Sequence, residues 1–114
     1  MILDTCILIE LQRGNKDIIS KVYEFEQKGI YITPVVLAEF YRGARDKSEW
    51  LKCRKLIDMF AILPLNEQVA DIFIEAFDNF SLSHRPSVPD MLIAAAALYY
   101  NMPLYNKPLS IMIK

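Results

Sequence analysis

Residues 1–10 read MILDTCILIE, and the break at Asp4–Thr5 inside this stretch decides the fold. The apolar run from Met1 to Leu3 is short and reads as a buried strand, while the second run, Cys6 to Ile9, opens a helix. Asp4 then stands at the carboxyl end of a strand, where Asp4 or Thr5 can cap the helix that follows. In open α/β sheets, ligands bind just beyond that end of the strands. An aspartate between a strand and a helix is often only an N-cap. Taken alone, Asp4 is better read that way, and its meaning depends on which other acids the fold brings to it.

Beyond this opening, Arg13–Gly14–Asn15 is a turn, and Lys16 to Gln27 has helical spacing with Ile18, Ile19, Val22 and Phe25 on the inner face. Lys28–Gly29 stops that helix, Gly29 suiting a left-handed C-terminal position. The β-branched and aromatic Ile30 to Thr33 form a second strand. Thr33–Pro34 starts the next helix: threonine caps, and proline takes the first position, where its missing N–H costs nothing. That helix runs from Val35 to Ala44. Ser48 opens another, with Trp50, Leu51, Leu56, Ile57 and Phe60 among its core contacts. Ala61 to Leu65 holds a third strand, broken by Pro64. Asn66 caps a helix on which Val69, Ile72, Phe73, Ala76, Phe77 and Phe80 recur with helical spacing. Residues 81–89, SLSHRPSVP, are a loop carrying His84 and Arg85. Asp90 begins the alanine-rich helix MLIAAAALYY, Met102 to Tyr105 is a fourth strand, and Asn106 to Lys114 shows no clear pattern.

Strands alternating with helices predict a parallel sheet, right-handed crossovers and an α/β sandwich. With 114 residues and neither repeat nor linker, residues 1–114 form one domain. A hydrophobic fraction of 54% with 24% charged residues fits a soluble globular protein. The longest apolar stretch, Met91 to Tyr100, is too short to span a bilayer, and no leader pattern opens the chain; the expectation is a cytoplasmic protein without a membrane partner. Cys6 and Cys53 lack metal-ligand or CxxC spacing. Cys6 is expected to pack as a small apolar residue and Cys53 to sit on a helix flank. His84 is the one histidine, and nothing local ties it to either thiol.

A net charge of −1 weighs modestly against non-specific binding of a large polyanion. Arg42, Arg45 and Lys47 form one local basic cluster. Lys52, Arg54 and Lys55 form another, which reads as an ordinary solvated helix surface.

Two further acids matter. Glu39 lies in PVVLAEFYRGA, where an exposed Glu39–Arg42 pair, contributing about 0.3–0.5 kcal/mol, is the simplest local reading. Asp90 follows Pro89 in the first turn of its helix, where the dipole favours a carboxylate by roughly 0.3–1 kcal/mol. In a parallel sheet, strand ends and the following helix starts share one edge, so Asp4, Glu39 and Asp90 can converge. Three acids in one pocket repel unless a cation neutralises them, and all-oxygen ligands select Mg²⁺ or Mn²⁺. Such a metal suits phosphodiester hydrolysis.

MILDTCILIE, VVLAEFYRGA and VPDMLIAAAAL, in this order and spacing, resemble the three acidic motifs of PIN-domain ribonucleases, most closely the VapC-type toxins of toxin–antitoxin pairs. The resemblance covers nearly the whole chain. It implies a PIN-like three-layer sandwich, a short parallel sheet flanked by helices, and Mg²⁺- or Mn²⁺-dependent cleavage of RNA. It places Asp4, Glu39 and Asp90 in catalysis, with Asp4 and Asp90 holding metal, Glu39 orienting water or a second ion, and Thr5 matching the hydroxyl residue beside the first acid. It also implies a cognate antitoxin and a homodimer. The chain departs from the family at Cys6, where Asn or Ser is usual, and after MPLY. There Asn106 stands near the place of a further polar residue and no recognisable final strand follows, so the C-terminal sheet edge is expected to be incomplete. Two other readings follow from the same residues. One is a PIN-like protein that only binds antitoxin or RNA. The other, ranked low, is a phosphatase with Asp4 as nucleophile; that chemistry wants a second acid two residues on, where Cys6 stands.

Overall fold

The computed structural model describes residues 1–79, 87–106 and 111–113. Phe80, His84 and Arg85 fall outside them. In chain order the elements are β1 (Ile2–Leu3), α1 (Thr5–Gln12), α2 (Lys16–Glu24), a 3₁₀ turn (Glu26–Lys28), β2 (Tyr31–Ile32), α3 (Pro34–Arg42), α4 (Lys47–Ile57), β3 (Ala61–Ile62), α5 (Glu67–Asn79), α6 (Val88–Tyr100), β4 (Leu104–Asn106) and β5 (Ile111–Ile113).

The strands form one sheet in the order β3-β2-β1-β4-β5. The first four are parallel, with Ile2 opposite both Tyr31 and Leu104, and Tyr31 opposite Ala61. The chain moves outward from β1 through β2 to β3, then returns to place β4 on the other side of β1. The strand order therefore reverses at β1, the position where such sheets open a crevice beyond their carboxyl ends. Asp4 immediately follows β1, Thr33 follows β2, and Asn106 ends β4. Topology alone puts these three residues along one edge.

The tail supplies a strand that the sequence did not reveal. β5 pairs antiparallel with β4, Asn106 opposite Ile111 and Leu104 opposite Ile113. The expected gap at the C-terminal edge is thus closed beside β4. Ile-Met-Ile is too short to show a period, which is why it left no signal.

Local chemistry fixes the helix starts. Thr33 Oγ1 accepts from the Val36 N–H at 3.4 Å with Pro34 at the first position. Asn66 Oδ1 accepts from the Val69 N–H at 2.9 Å. Two starts differ from expectation. Asp46, not Ser48, caps α4, accepting from the Glu49 N–H at 2.9 Å, and Ser87, three residues before Asp90, caps α6. Gly29 takes a positive φ of 91° after the 3₁₀ turn, and a Cβ there would meet the Tyr31 ring at 2.9 Å. Asn101 ends α6 in the left-handed conformation, φ 53° and ψ 48°.

The core is built mainly from β1, α1 and the inner faces of α2, α3, α4 and α6, with Ile2, Leu3, Ile7, Leu8, Ile32 and Val36 fully buried. Three expected core residues are not there. Ile18 and Val22 turn inward on α2, leaving Ile19 41% exposed, while Trp50 and Leu51 on α4 are 40% and 48% exposed. Cys53 and Ile57, one turn apart, face the core instead, so Cys53 is buried rather than flanking. Trp50 stacks on Tyr41 with ring centroids 5.0 Å apart.

The alanines of α6 divide their work between two neighbours. Ile93 and Ala97 join the main core, whereas Ala95 and Ala96 pack against Val69, Ile72 and Phe73 of α5. Small side chains here let α5 and α6 approach closely. Ala96→Leu should therefore destabilise the protein by about 1–3 kcal/mol through overpacking. Glu75→Ala on the exposed face of α5 should stay within about 0.5 kcal/mol. Urea unfolding of both variants checks the pair.

Candidate active site

Asp4 is only 9% exposed, although it is an acid. Its Oδ1 accepts from the adjacent Thr5 N–H at 2.7 Å, capping α1 from the end of β1. The Thr5 hydroxyl, one residue on, donates to Glu39 Oε1 at 2.7 Å. This bond spans 34 residues of sequence and ties α1 to α3. Glu39 is half-buried and committed to Thr5, which replaces the exposed Glu39–Arg42 pair anticipated from spacing. Charge-assisted bonds of this length are among the stronger hydrogen bonds available to a protein.

Asp90 sits in the first turn of α6, its N–H donating to Ser87 Oγ at 3.1 Å, and its side chain is exposed. It reaches Asp4 through its field. Burial raises the Asp4 carboxyl above the ordinary range; the Thr5 N–H opposes this, and the negative charges of Asp90 and Glu39 raise it further. The three acids named from sequence are therefore gathered at one edge and felt by one another. They do not close into a finished cage: among the described residues, no three His, Cys, Asp or Glu side chains stand close enough to hold an ion.

The neighbouring side chains complete the edge. Cys6 Sγ donates to Asn106 Oδ1 at 3.2 Å, joining the start of α1 to the end of β4 across residues far apart in sequence. Cys6 is thus a polar contact of the pocket as well as a packing residue. The donor set of carboxylates, a threonine hydroxyl and an asparagine amide is all hard oxygen, the chemistry that Mg²⁺ and Mn²⁺ prefer. A dication would also relieve the repulsion that raises Asp4.

From Glu39 a groove of about 500 Å³ runs between α1, α3 and α4, lined also by Gln12, Arg13, Lys52 and Cys53. Lys52 is exposed, as expected for a solvated helix surface, and it also borders this groove, which exists only once α4 packs beside α3.

With this geometry in view, comparison with known proteins is decisive. The PIN domain family matches residues 1–105. Ribonuclease VapC of Rickettsia bellii is 32% identical over 112 residues, covering 91% of this chain and 81% of that protein. The chain belongs to the PIN-domain family. Ribonuclease VapC3 of Methanocaldococcus jannaschii is 30% identical over 95 residues, 82% of this PIN domain and 94% of that chain. The fold agrees as well. VapBC2 of Rickettsia felis, solved bound to a DNA fragment from its promoter, superposes with a TM-score of 0.85 at 18% identity, covering 95% of this chain and 86% of that one. FitAcB of Neisseria gonorrhoeae gives 0.79 at 19% identity over 96% and 88%.

The raised Asp4 carboxyl has a consequence for stability. A group whose folded-state pKa lies above its unfolded value favours the fold at low pH, and that contribution is lost as pH rises through the folded value. At pH values above its unfolded pKa, in chelator, the raised Asp4 carboxyl therefore weakens the PIN domain. Asp4→Asn keeps an oxygen for the Thr5 N–H while removing the charge. It should raise the melting temperature at pH 7 in chelator, and the gain should shrink towards zero near pH 4. An unchanged or lower melting temperature at pH 7 would count against this electrostatic picture.

Proposed function

We propose that this PIN domain is a metal-dependent endoribonuclease, the toxin of a toxin–antitoxin pair, and that Asp4, Glu39 and Asp90 carry the reaction. The observation that supports it most is the connected edge of the sheet: buried Asp4, Thr5 bonded to Glu39, and the Asp90 carboxylate acting on Asp4. The relatives named as ribonucleases supply the reaction class.

Asp4 and Asp90 would hold Mg²⁺ or Mn²⁺. Such an ion supplies an activated water and stabilisation of the leaving oxygen during phosphodiester hydrolysis. The chain's own contribution is positional. The Thr5 N–H holds the Asp4 carboxylate, and the Thr5 hydroxyl fixes Glu39 so that its free oxygen can orient water. Burial at the carboxyl end of β1 keeps Asp4 out of bulk solvent, so that its charge acts through a lower dielectric.

A polypeptide antitoxin is the partner that the solved relatives suggest, among them a toxin–antitoxin complex from Klebsiella pneumoniae. A homodimer is part of the same reading, and exposed Ile74, Leu98 and Tyr99 on α5 and α6 offer apolar surface for it. No helix among the described residues is long and apolar enough to cross a membrane.

Cleavage of a panel of structured RNAs with Mg²⁺ or Mn²⁺, and with chelator, tests the reading. Wild type should cut only with metal. Asp4→Ala and Asp90→Ala should each lose at least about 100-fold, since the ion is worth several kcal/mol to the transition state. Thr5→Val, which removes one charged hydrogen bond, should lose about 10-fold. Cutting that survives chelator, or both aspartate substitutions, would contradict the assignment.

A further inference from the structure

Three carboxylates along one sheet edge repel an RNA substrate, and the net charge of the whole chain, −1, offers no general attraction. Attraction has to come from local cations placed near the site. The chain concentrates them on α4, where Lys47, Lys52, Arg54 and Lys55 face a single acid, Glu49. That acid is already taken: Arg45, outside the helix, grips both Glu49 oxygens at 3.0–3.3 Å. Arg54 pairs with Asp58 at 3.2 Å. Among the described residues, Lys47, Lys52 and Lys55 have no ion pair.

The three lysines are arranged in relation to the site. Lys52 lines the groove that contains Glu39 and the Arg45-bound Glu49, on which its charge also acts. It also lines the adjoining depression of about 470 Å³ formed with Lys47, Ser48, Leu51 and Lys55. Lys52 thus stands where the two hollows meet. Leu51, which is 48% exposed, lies among the lysines as the apolar part of this depression. Arg13 and Gln12 line the groove from α1.

We propose that this α4 face is the path of the RNA backbone leaving the active site. Lys52 receives the phosphate nearest the cleaved bond, and Lys47 and Lys55 receive those beyond it. The substrate segment is single-stranded, because a depression with an exposed leucine between lysines accommodates splayed bases rather than a duplex. The catalytic part of this inference rests on the nuclease reading above; the binding part does not.

The test is fluorescence anisotropy of a labelled single-stranded 12-nucleotide RNA, in chelator and at several salt concentrations. Wild type, Lys52→Ala, the double variant Lys47→Ala/Lys55→Ala and the control Lys21→Ala on α2 are compared. Lys52→Ala should weaken binding about 5-fold and lower the slope of log Kd against log salt by about 0.7, the value for one phosphate contact on a single strand. The double variant should lose more, and Lys21→Ala should match wild type. In steady-state cleavage, Lys52→Ala should raise KM for the 12-mer with little change in kcat, and Lys21→Ala should change neither.

Lys52-dependent binding by a protein that does not cleave sustains the proposal and removes the nuclease reading. Cleavage in which Lys52→Ala moves neither KM nor the salt slope removes the proposal and keeps the nuclease. Absence of RNA binding by wild type overturns it, as does an effect of Lys52→Ala confined to an acidic polypeptide partner.

Discussion

Asp4 is a carboxylate held nearly out of water, with two other negative charges acting on it and a single backbone N–H in compensation. Burying an acid in this way is unfavourable, and the fold maintains it because β1 has little freedom. β1 is two residues long and sits centrally in the sheet, its pairings with β2 and β4 fixing where the chain must turn. The Asp4 N–H bonds to the Tyr105 carbonyl at 3.1 Å, so the backbone of the acid is part of the sheet ladder. The helix that Asp4 caps then brings Thr5 and Cys6 to the same edge, where they meet residues from α3 and β4. An acid whose burial costs stability is thus held by a strand that is paired on both sides.

The same economy governs the rest of the domain. Strands of two or three residues bury too little surface to organise a sheet alone, so helices carry the packing. The α5–α6 pair, with Ala95 and Ala96 against Val69, forms a cluster separate from the main core. Tyr100 links this pair to the sheet edge, donating to the Pro64 carbonyl at 2.6 Å. Asp90 is carried at the N-terminus of that helix, where it influences Asp4 from an exposed position without the penalty of burial.

Much of this was legible in the sequence because the signals were local. The apolar break at Asp4–Thr5, the Thr33–Pro34 start, Asn66 as a cap and the alternation of strands and helices each depend on neighbouring residues, and the structure follows them. The order of the three acidic motifs supplied the family, which the comparisons established. What sequence missed depended on packing between distant segments. The local reading of Glu39 offered Arg42 as its partner because spacing on one helix was the visible information, whereas its partner, Thr5, comes from another helix. Trp50 and Leu51 were assigned to the core because they are apolar, but the phase of α4 is set by Cys53 and Ile57. β5 is three residues long and acquires its identity only from its partner β4. Lys52 became notable only when α4 was seen beside Glu39.

The central claim is that Asp4 and Asp90 share one divalent ion beside a Glu39 fixed by Thr5. Anomalous diffraction from Mn²⁺-soaked crystals tests it most directly. The account predicts a peak bonded to carboxylate oxygens of Asp4 and Asp90, with the Thr5–Glu39 hydrogen bond retained. A peak away from Asp4, or no peak in crystals whose pocket is open to solvent, would contradict it.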